Sequence, residues 1–352
     1  MSNKQVDTYF KMAADGHFEN GHLQRVRHGG YDMTSFERVR RTLAFEQPDR
    51  IPLATGPDSD IVGIGYKPAG DFNPQREGMN EWGIVWKSLN REQGDQGQVV
   101  EHPLADWDNH ETYTFPDPFA PGRFDHVEAE LDAHRQTGRF VAGHLGKGPM
   151  HLLDDLRGFQ NYLSDLLLEP ARIEWMLNGI FSVLEGLMQQ FAHAHVDAIY
   201  LTDDQAMQSG PIFAMDLWRQ HLKPRYRKMF EWAHAHGLRV FMHACGKLSE
   251  HLVDLQEAGV DMIDNKQPAL WMDCPAVDDV RGRISFSTCL DIQSVMQAIP
   301  LKQIHEETAR LIRRLSLPQG GFVGTYYPKP DLNIAPEKNI RMVEAFKTFY
   351  WD

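Results

Sequence analysis

Cysteine is nearly absent: only Cys245, Cys274 and Cys289 occur in 352 residues. So odd and sparse a count builds no disulfide framework and fits a reducing cytoplasm. Long apolar runs are missing too. No stretch reaches the roughly eighteen apolar residues of a membrane span. The opening MSNKQVDTYFKMAADGHF holds no apolar signal-peptide core. Dense basic runs are also lacking. The nearest is Arg38-Val39-Arg40-Arg41, on an amphipathic helical stretch, in a chain of formal net charge −13. That balance argues against nucleic acid or anionic membrane as the main partner. Apolar residues, at 42%, are not scarce, and this excludes a disordered chain.

What is present is a chain long enough to bury a substantial core. Thr34-Ser35-Phe36-Glu37 has the form of a helix cap ahead of RVRRTLAF. Beyond it, apolar runs of strand length fall at 51–54, 139–145, 197–201, 238–243, 260–264, 284–287 and 321–325. Helical patterns separate them at 124–136, 150–167, 170–195, 215–236, 247–258 and 336–350. Strands alternating with helices predict an α/β fold with a parallel sheet. Seven strands, with an eighth inside the Gly-, Pro- and Trp-rich stretch 58–120, predict a (β/α)8 TIM barrel. On this reading residues 1–34 are an N-terminal helical extension. Residues 35–352 form one barrel domain, and 58–120 is an insertion after the first strand that covers the barrel. The run Glu81-Trp82-Gly83-Ile84-Val85-Trp86 within it reads as a strand.

Barrel active sites lie where strands end and βα loops begin. Every expected strand end here carries ionisable groups: Asp58 and Asp60; His144 and Lys147; Asp203 and Asp204; His243, Cys245 and Lys247; Lys266; Cys289 and Asp291; Tyr326, Tyr327 and Lys329. The sharpest local signal is His243-Ala244-Cys245. Side chains two apart on a strand point the same way, and an imidazole beside a thiolate is a natural pair of zinc ligands. The competing reading is a small buried cysteine beside a structural histidine. Cys289 is the candidate third ligand, with Asp203 able to complete the tetrahedron. Asp203 and Asp204 are the candidate catalytic acids, or else they cap the helix that follows. Lys147, between two glycines, either faces an anionic substrate or sits in a surface loop. Trp82 and Trp86 are core aromatics or stack on substrate.

Several segments together resemble the uroporphyrinogen-decarboxylase-like superfamily. They are TSFERVRRTLAFEQPDRIPL, Tyr200-Leu201-Thr202-Asp203-Asp204, HACGKLSEHLVDLQEAGVDMID, FSTCLDIQ and Pro336-Glu337-Lys338-Asn339-Ile340. True decarboxylases of that superfamily carry Arg-Gln-Ala-Gly-Arg just after the first strand. Here the place reads Ala54-Thr55-Gly56-Pro57-Asp58-Ser59, without an arginine to pair with a polyanion. The resemblance is closer to the zinc methyltransferases that work with corrinoid proteins, which use a His-x-Cys pair matched by His243 and Cys245. Many add a cysteine near the last strand. Lys329 stands in that place here, and Cys289 is left to substitute. The resemblance implies a cytoplasmic enzyme, often dimeric, that moves a methyl group between a small substrate and a corrinoid on a partner protein. His144, Trp82, Tyr326 and Lys329 are the expected substrate contacts. The alternative is a metal-independent decarboxylase or lyase of a small carboxylated molecule.

Overall fold

The structure, a computed structural model, describes residues 33–88, 97–328 and 332–351. Its strands are β1 (Ile61–Gly65), β2 (Val85–Lys87), β3 (Gln98–Glu101), β4 (Phe140–Lys147), β5 (Ala198–Thr202), β6 (Arg239–His243), β7 (Met262–Asn265), β8 (Ser285–Thr288) and β9 (Phe322–Gly324). Seven of them pair in parallel, in the order β1-β4-β5-β6-β7-β8-β9, as a curled sheet. Both faces of β7 and β8 are buried. β7 accordingly opens on the apolar pair Met262-Ile263 and turns polar only at its end, whereas β8 buries Ser285, Ser287 and Thr288 around Phe286.

The expected strand at 51–54 is reduced to a single bridge. Leu53 pairs in parallel with Gly324, Ala54 N–H donates to Gly324 O (2.9 Å), and Gly324 N–H donates to Pro52 O (2.8 Å). On its other side Leu53 O accepts from Asp60 N–H at 2.7 Å, just ahead of β1. The segment therefore lies between the two edges of the sheet. The strand expected within 58–120 is β1. The 81–86 run is not a barrel strand: only its end is extended, as β2, which forms an antiparallel ribbon with β3. Asn80 Oδ1 accepts from the N–H groups of Trp82 (3.0 Å) and Ile84 (3.1 Å), a turn that excludes strand geometry until Val85. The expected 215–236 helix is two, Met215–His221 and Lys223–Ala235. Pro224 has no N–H to continue the first. The expected N-terminal extension lies outside the described residues, except for its last two.

Two apolar clusters flank the sheet. The larger lies between the sheet and the surrounding helices. The smaller fills the inside of the curl with Phe140, Ala142, Ala198, Phe241, Met262 and Val323, joined by Val39 and Leu43 from the helix Ser35–Ala44. That helix begins as expected, with Thr34 Oγ1 accepting from Glu37 N–H. It closes the end where the strands start, and the chemistry-bearing strand ends are at the other. The carboxylate of Asp60, fully buried, ties the closure together. It accepts from Arg38, Arg50, Ser35 and Leu53 N–H. No helix among the described residues is long and apolar enough to cross a membrane.

Candidate metal centre

Register builds the site. Thr202 on β5 pairs with His243 on β6, His243 with Asp264 on β7, and Asp264 with Ser287 on β8. Residues level with one another on parallel strands point to the same side. His243 Nδ1 and Asp264 Oδ2 lie 2.7 Å apart. His243 Nε2 lies 3.3 Å from Cys245 Sγ. The β5 loop brings the third donor: Asp204 Oδ1 accepts from Cys245 N–H at 2.6 Å and lies 3.9 Å from His243 Nε2. One ligand atom from each of Asp204, His243 and Cys245 lies within 4.8 Å of the others.

The sequence folds this way because Gly246 follows. Its φ is +84°, and a Cβ there would stand 2.1 Å from Ala206 O. Only glycine lets the β6 loop pass so close to the β5 loop that carries Asp204. Gly246 N–H donates to Gln267 Oε1 (2.8 Å), and Asn265 Nδ2 donates to Ala244 O (2.6 Å). The β7 end thus holds the His-x-Cys turn from below.

Burial alone would push the His243 imidazole down, but its bonds to Asp264 and Cys245 outweigh that and raise it to about 10. Burial likewise works against the Asp264 carboxylate. Lys266 and His243 overcome it and hold the group well below the usual range. Lys266 Nζ sits 2.5 Å from Asp264 Oδ1, Ser287 donates to the same oxygen (2.8 Å), and Tyr200 OH donates to Oδ2 (3.1 Å). Every lone pair of this buried carboxylate is used. It is the acidic partner that metal-binding imidazoles require on their far nitrogen. One imidazole, one thiol and one carboxylate, with that support, make a donor set suited to zinc.

Of the three expected ligands, His243 and Cys245 lie in the group and Cys289 does not. Cys289 is fully buried in the helix-side core and is outside the Asp204–His243–Cys245 group. Burial pushes its thiol up to about 12. The third donor of the group is the Asp204 carboxylate. Its neighbour Asp203 points elsewhere. Asp203 Oδ1 accepts from His151 N–H (3.1 Å) and Oδ2 accepts from Tyr226 OH. His151 lies in the first turn of the helix Pro149–Arg157. Asp203 is therefore a helix cap, but for the helix before it in sequence, not the one after. Burial raises its pKa to about 6.

His144 is half-buried on β4 and stacks on Tyr200, centroids 4.6 Å apart. A Cβ at Gly63 on β1 would stand 2.1 Å from its Nε2, so the missing side chain makes its room. Trp82 is buried, with its ring edge-on to Phe115. Tyr326 is buried beside Gly56, and Lys329 lies outside the described residues. Lys147 is engaged by Asp155 and lies 4.0 Å over the Trp86 ring, so it is neither free nor loose. Asp264, Tyr200 and His151 escaped the sequence reading as site residues, and Lys266 was read only as a strand-end charge. The available signal was a charged residue closing an apolar strand, as in Met262-Ile263-Asp264.

The uroporphyrinogen decarboxylase (URO-D) family profile matches residues 88–325. The chain belongs to that family. The match contains Asp204, His243, Cys245 and Asp264 and begins beyond β1. Among solved structures, a methyltransferase from Methanosarcina mazei shares the fold at TM-score 0.67 and 15% identity, over 91% of this chain and 100% of that one. The YdhT protein from Bacillus subtilis overlaps at TM-score 0.42 and 12% identity, over 85% of this chain and 87% of that one, too loosely for further comparison. No curated protein sequence matches. Membership of the URO-D family supports an enzyme.

Proposed function

We propose that this URO-D family member is a zinc-dependent methyltransferase. It would move a methyl group between a small O-, N- or S-methyl substrate, a methoxylated aromatic foremost, and a corrinoid carried by a partner protein. The observation that carries the reading is the convergence of Asp204, His243 and Cys245 donor atoms within 4.8 Å at the strand ends. We read residues 52–54 as the eighth stave of a closed barrel whose mouth holds that centre.

His243 Nε2, Cys245 Sγ and the Asp204 carboxylate would hold the ion. When bound, zinc supplies Lewis acidity toward a substrate heteroatom. The chain's own residues prepare the place. Asp264 accepts a hydrogen bond from His243 Nδ1–H, so that Nε2 is the nitrogen that would give up its proton to the ion. Lys266, Ser287 and Tyr200 fix Asp264 in turn. His151 Nε2, 3.5 Å from Asp204 Oδ2, orients that carboxylate. The fold shared with the Methanosarcina mazei methyltransferase supports the reading. So does the absence of arginine from the loop 54–59, which leaves no cation there for a polycarboxylate.

The test is metal analysis of the purified chain beside His243→Ala and Cys245→Ser. It is followed by methyl transfer from methoxylated aromatics, methylamines and thiols to a reduced corrinoid protein, read by corrinoid absorbance. Stoichiometric zinc, lost in both variants together with transfer, is the expected result. A metal-free chain that releases carbon dioxide from a small carboxylate would replace this reading with that of a carboxy-lyase.

A further inference from the structure

The ends of β1 and β4 and the chain covering them border a half-open recess of about 370 Å³, lined in part by Tyr66, Glu81, Trp82, His144, Lys147 and Asp155. That volume is in the range of small-molecule sites. Its contents are organised by charge. Arg123, itself almost fully buried and outside the lining, gives two hydrogen bonds to the Glu81 carboxylate. Lys147 is bound to Asp155. The lining thus holds two carboxylates and one ammonium, all matched within the protein. His144 differs. Its ring nitrogens make no hydrogen bond or ion pair among the described residues. Burial pushes the imidazole below its ordinary value against the pull of Asp264, so it is neutral at physiological pH.

We propose that this recess holds the ring of an uncharged aromatic substrate and that His144 is the residue that recognises the ring's polar substituent. The proposal rests on the methyltransferase reading only for what happens to the substrate next. An anionic ligand would meet two carboxylates and no free cation, and would be left buried without a partner. A cationic ligand would find both carboxylates already taken. Trp82 and Tyr66 offer apolar ring surface instead. Asn80 holds the Trp82 backbone in its turn through Oδ1. A neutral imidazole has one donor and one acceptor to offer a hydroxyl or ether oxygen. The His144 ring also leads to the centre. It lies on Tyr200, whose OH donates to Asp264 Oδ2, the oxygen that anchors His243. Substrate bound on His144 is therefore linked to His243 through two intervening side chains, Tyr200 and Asp264.

The experiment is calorimetric titration of the full chain, stripped of metal by chelation, with guaiacol, benzoate and phenyltrimethylammonium. No metal, corrinoid or turnover is needed, so a failure of zinc binding or methyl transfer leaves the result readable. Guaiacol is expected to bind, with benzoate and the ammonium weaker by about tenfold or more. His144→Leu should weaken guaiacol by a similar factor, while His144→Gln, which keeps a donor and an acceptor, restores most of it. Equal or tighter binding of either charged probe overturns the proposal, as does guaiacol affinity unchanged in a folded His144→Leu variant. If that variant fails to fold, the three-probe comparison on the parent chain decides alone.

Discussion

Asp264→Asn perturbs the metal centre without removing any of its ligands. In the parent chain Oδ2 serves His243 Nδ1 and Tyr200, while Oδ1 serves Lys266 and Ser287. An amide has one oxygen, so one side of that arrangement must face an NH2 group. Turning the NH2 toward Lys266 sets two donors, one an ammonium, against each other in a buried place. The amide is therefore expected to keep its oxygen on Lys266 and to turn its NH2 toward His243. Nδ1 then becomes the acceptor, the ring proton moves to Nε2, and the nitrogen that faces Asp204 and Cys245 loses its lone pair. Loss of the partner behind a metal-binding imidazole costs roughly 10–100-fold in affinity, about 1.4–2.8 kcal/mol. Competition against a chromogenic chelator measures it directly. The double variant Asp264→Asn/Lys266→Met removes the ammonium, lets the amide oxygen turn back to His243, and should recover part of the loss. Zinc affinity within about twofold of the parent in Asp264→Asn, or no recovery in the double variant, would refute the tautomer argument.

The paired aspartates should separate. Asp204→Asn is expected to lower zinc affinity by about tenfold or more, whereas Asp203→Asn, a change at the cap of the helix Pro149–Arg157, leaves it within about threefold; the same chelator competition reads both. Asp60→Ala strips Arg38 and Arg50 of their buried partner and is expected to cost about 3–5 kcal/mol in urea unfolding. The Asp60 contribution also depends on pH. Burial works against the carboxylate, but Arg50, Leu53 N–H and Arg38 hold its folded pKa below 3.8. It is therefore fully present above that value and fades as pH falls through the lower folded one. The stability gap between parent and Asp60→Ala should be flat from pH 5 to 7 and shrink below pH 4.

Much of the architecture was legible because it depends on local pattern. Six of the seven expected strands reappear within two residues at either end, since most buried parallel strands are rich in apolar residues. The strand at 51–54 reads correctly by hydrophobicity but forms one bridge, because Pro52 has no N–H to extend the pairing. The 81–86 run looks like a strand to its aromatics and is a turn to Asn80. His243 and Cys245 were legible for a similar reason. Alternation along a strand puts them on one side whatever the rest of the chain does.

The remainder of the centre was not local. From the sequence Cys289 reads as the third ligand, and Asp204 as a catalytic acid or a helix cap. The choice between them depends on which loop reaches Cys245 N–H and which thiol is sealed in the core, and both are matters of packing. Asp264 becomes the partner of His243 only through the pairing of β6 with β7, and Asp203 caps a helix more than forty residues upstream. The sequence by itself determined the alternation of strands and helices and a two-donor motif at one strand end. The tertiary structure decided the third donor, the buried carboxylate behind the imidazole and the recess beside it. Hydrogen-bond partners and burial belong to neighbours in space, and no spacing along the chain encodes them.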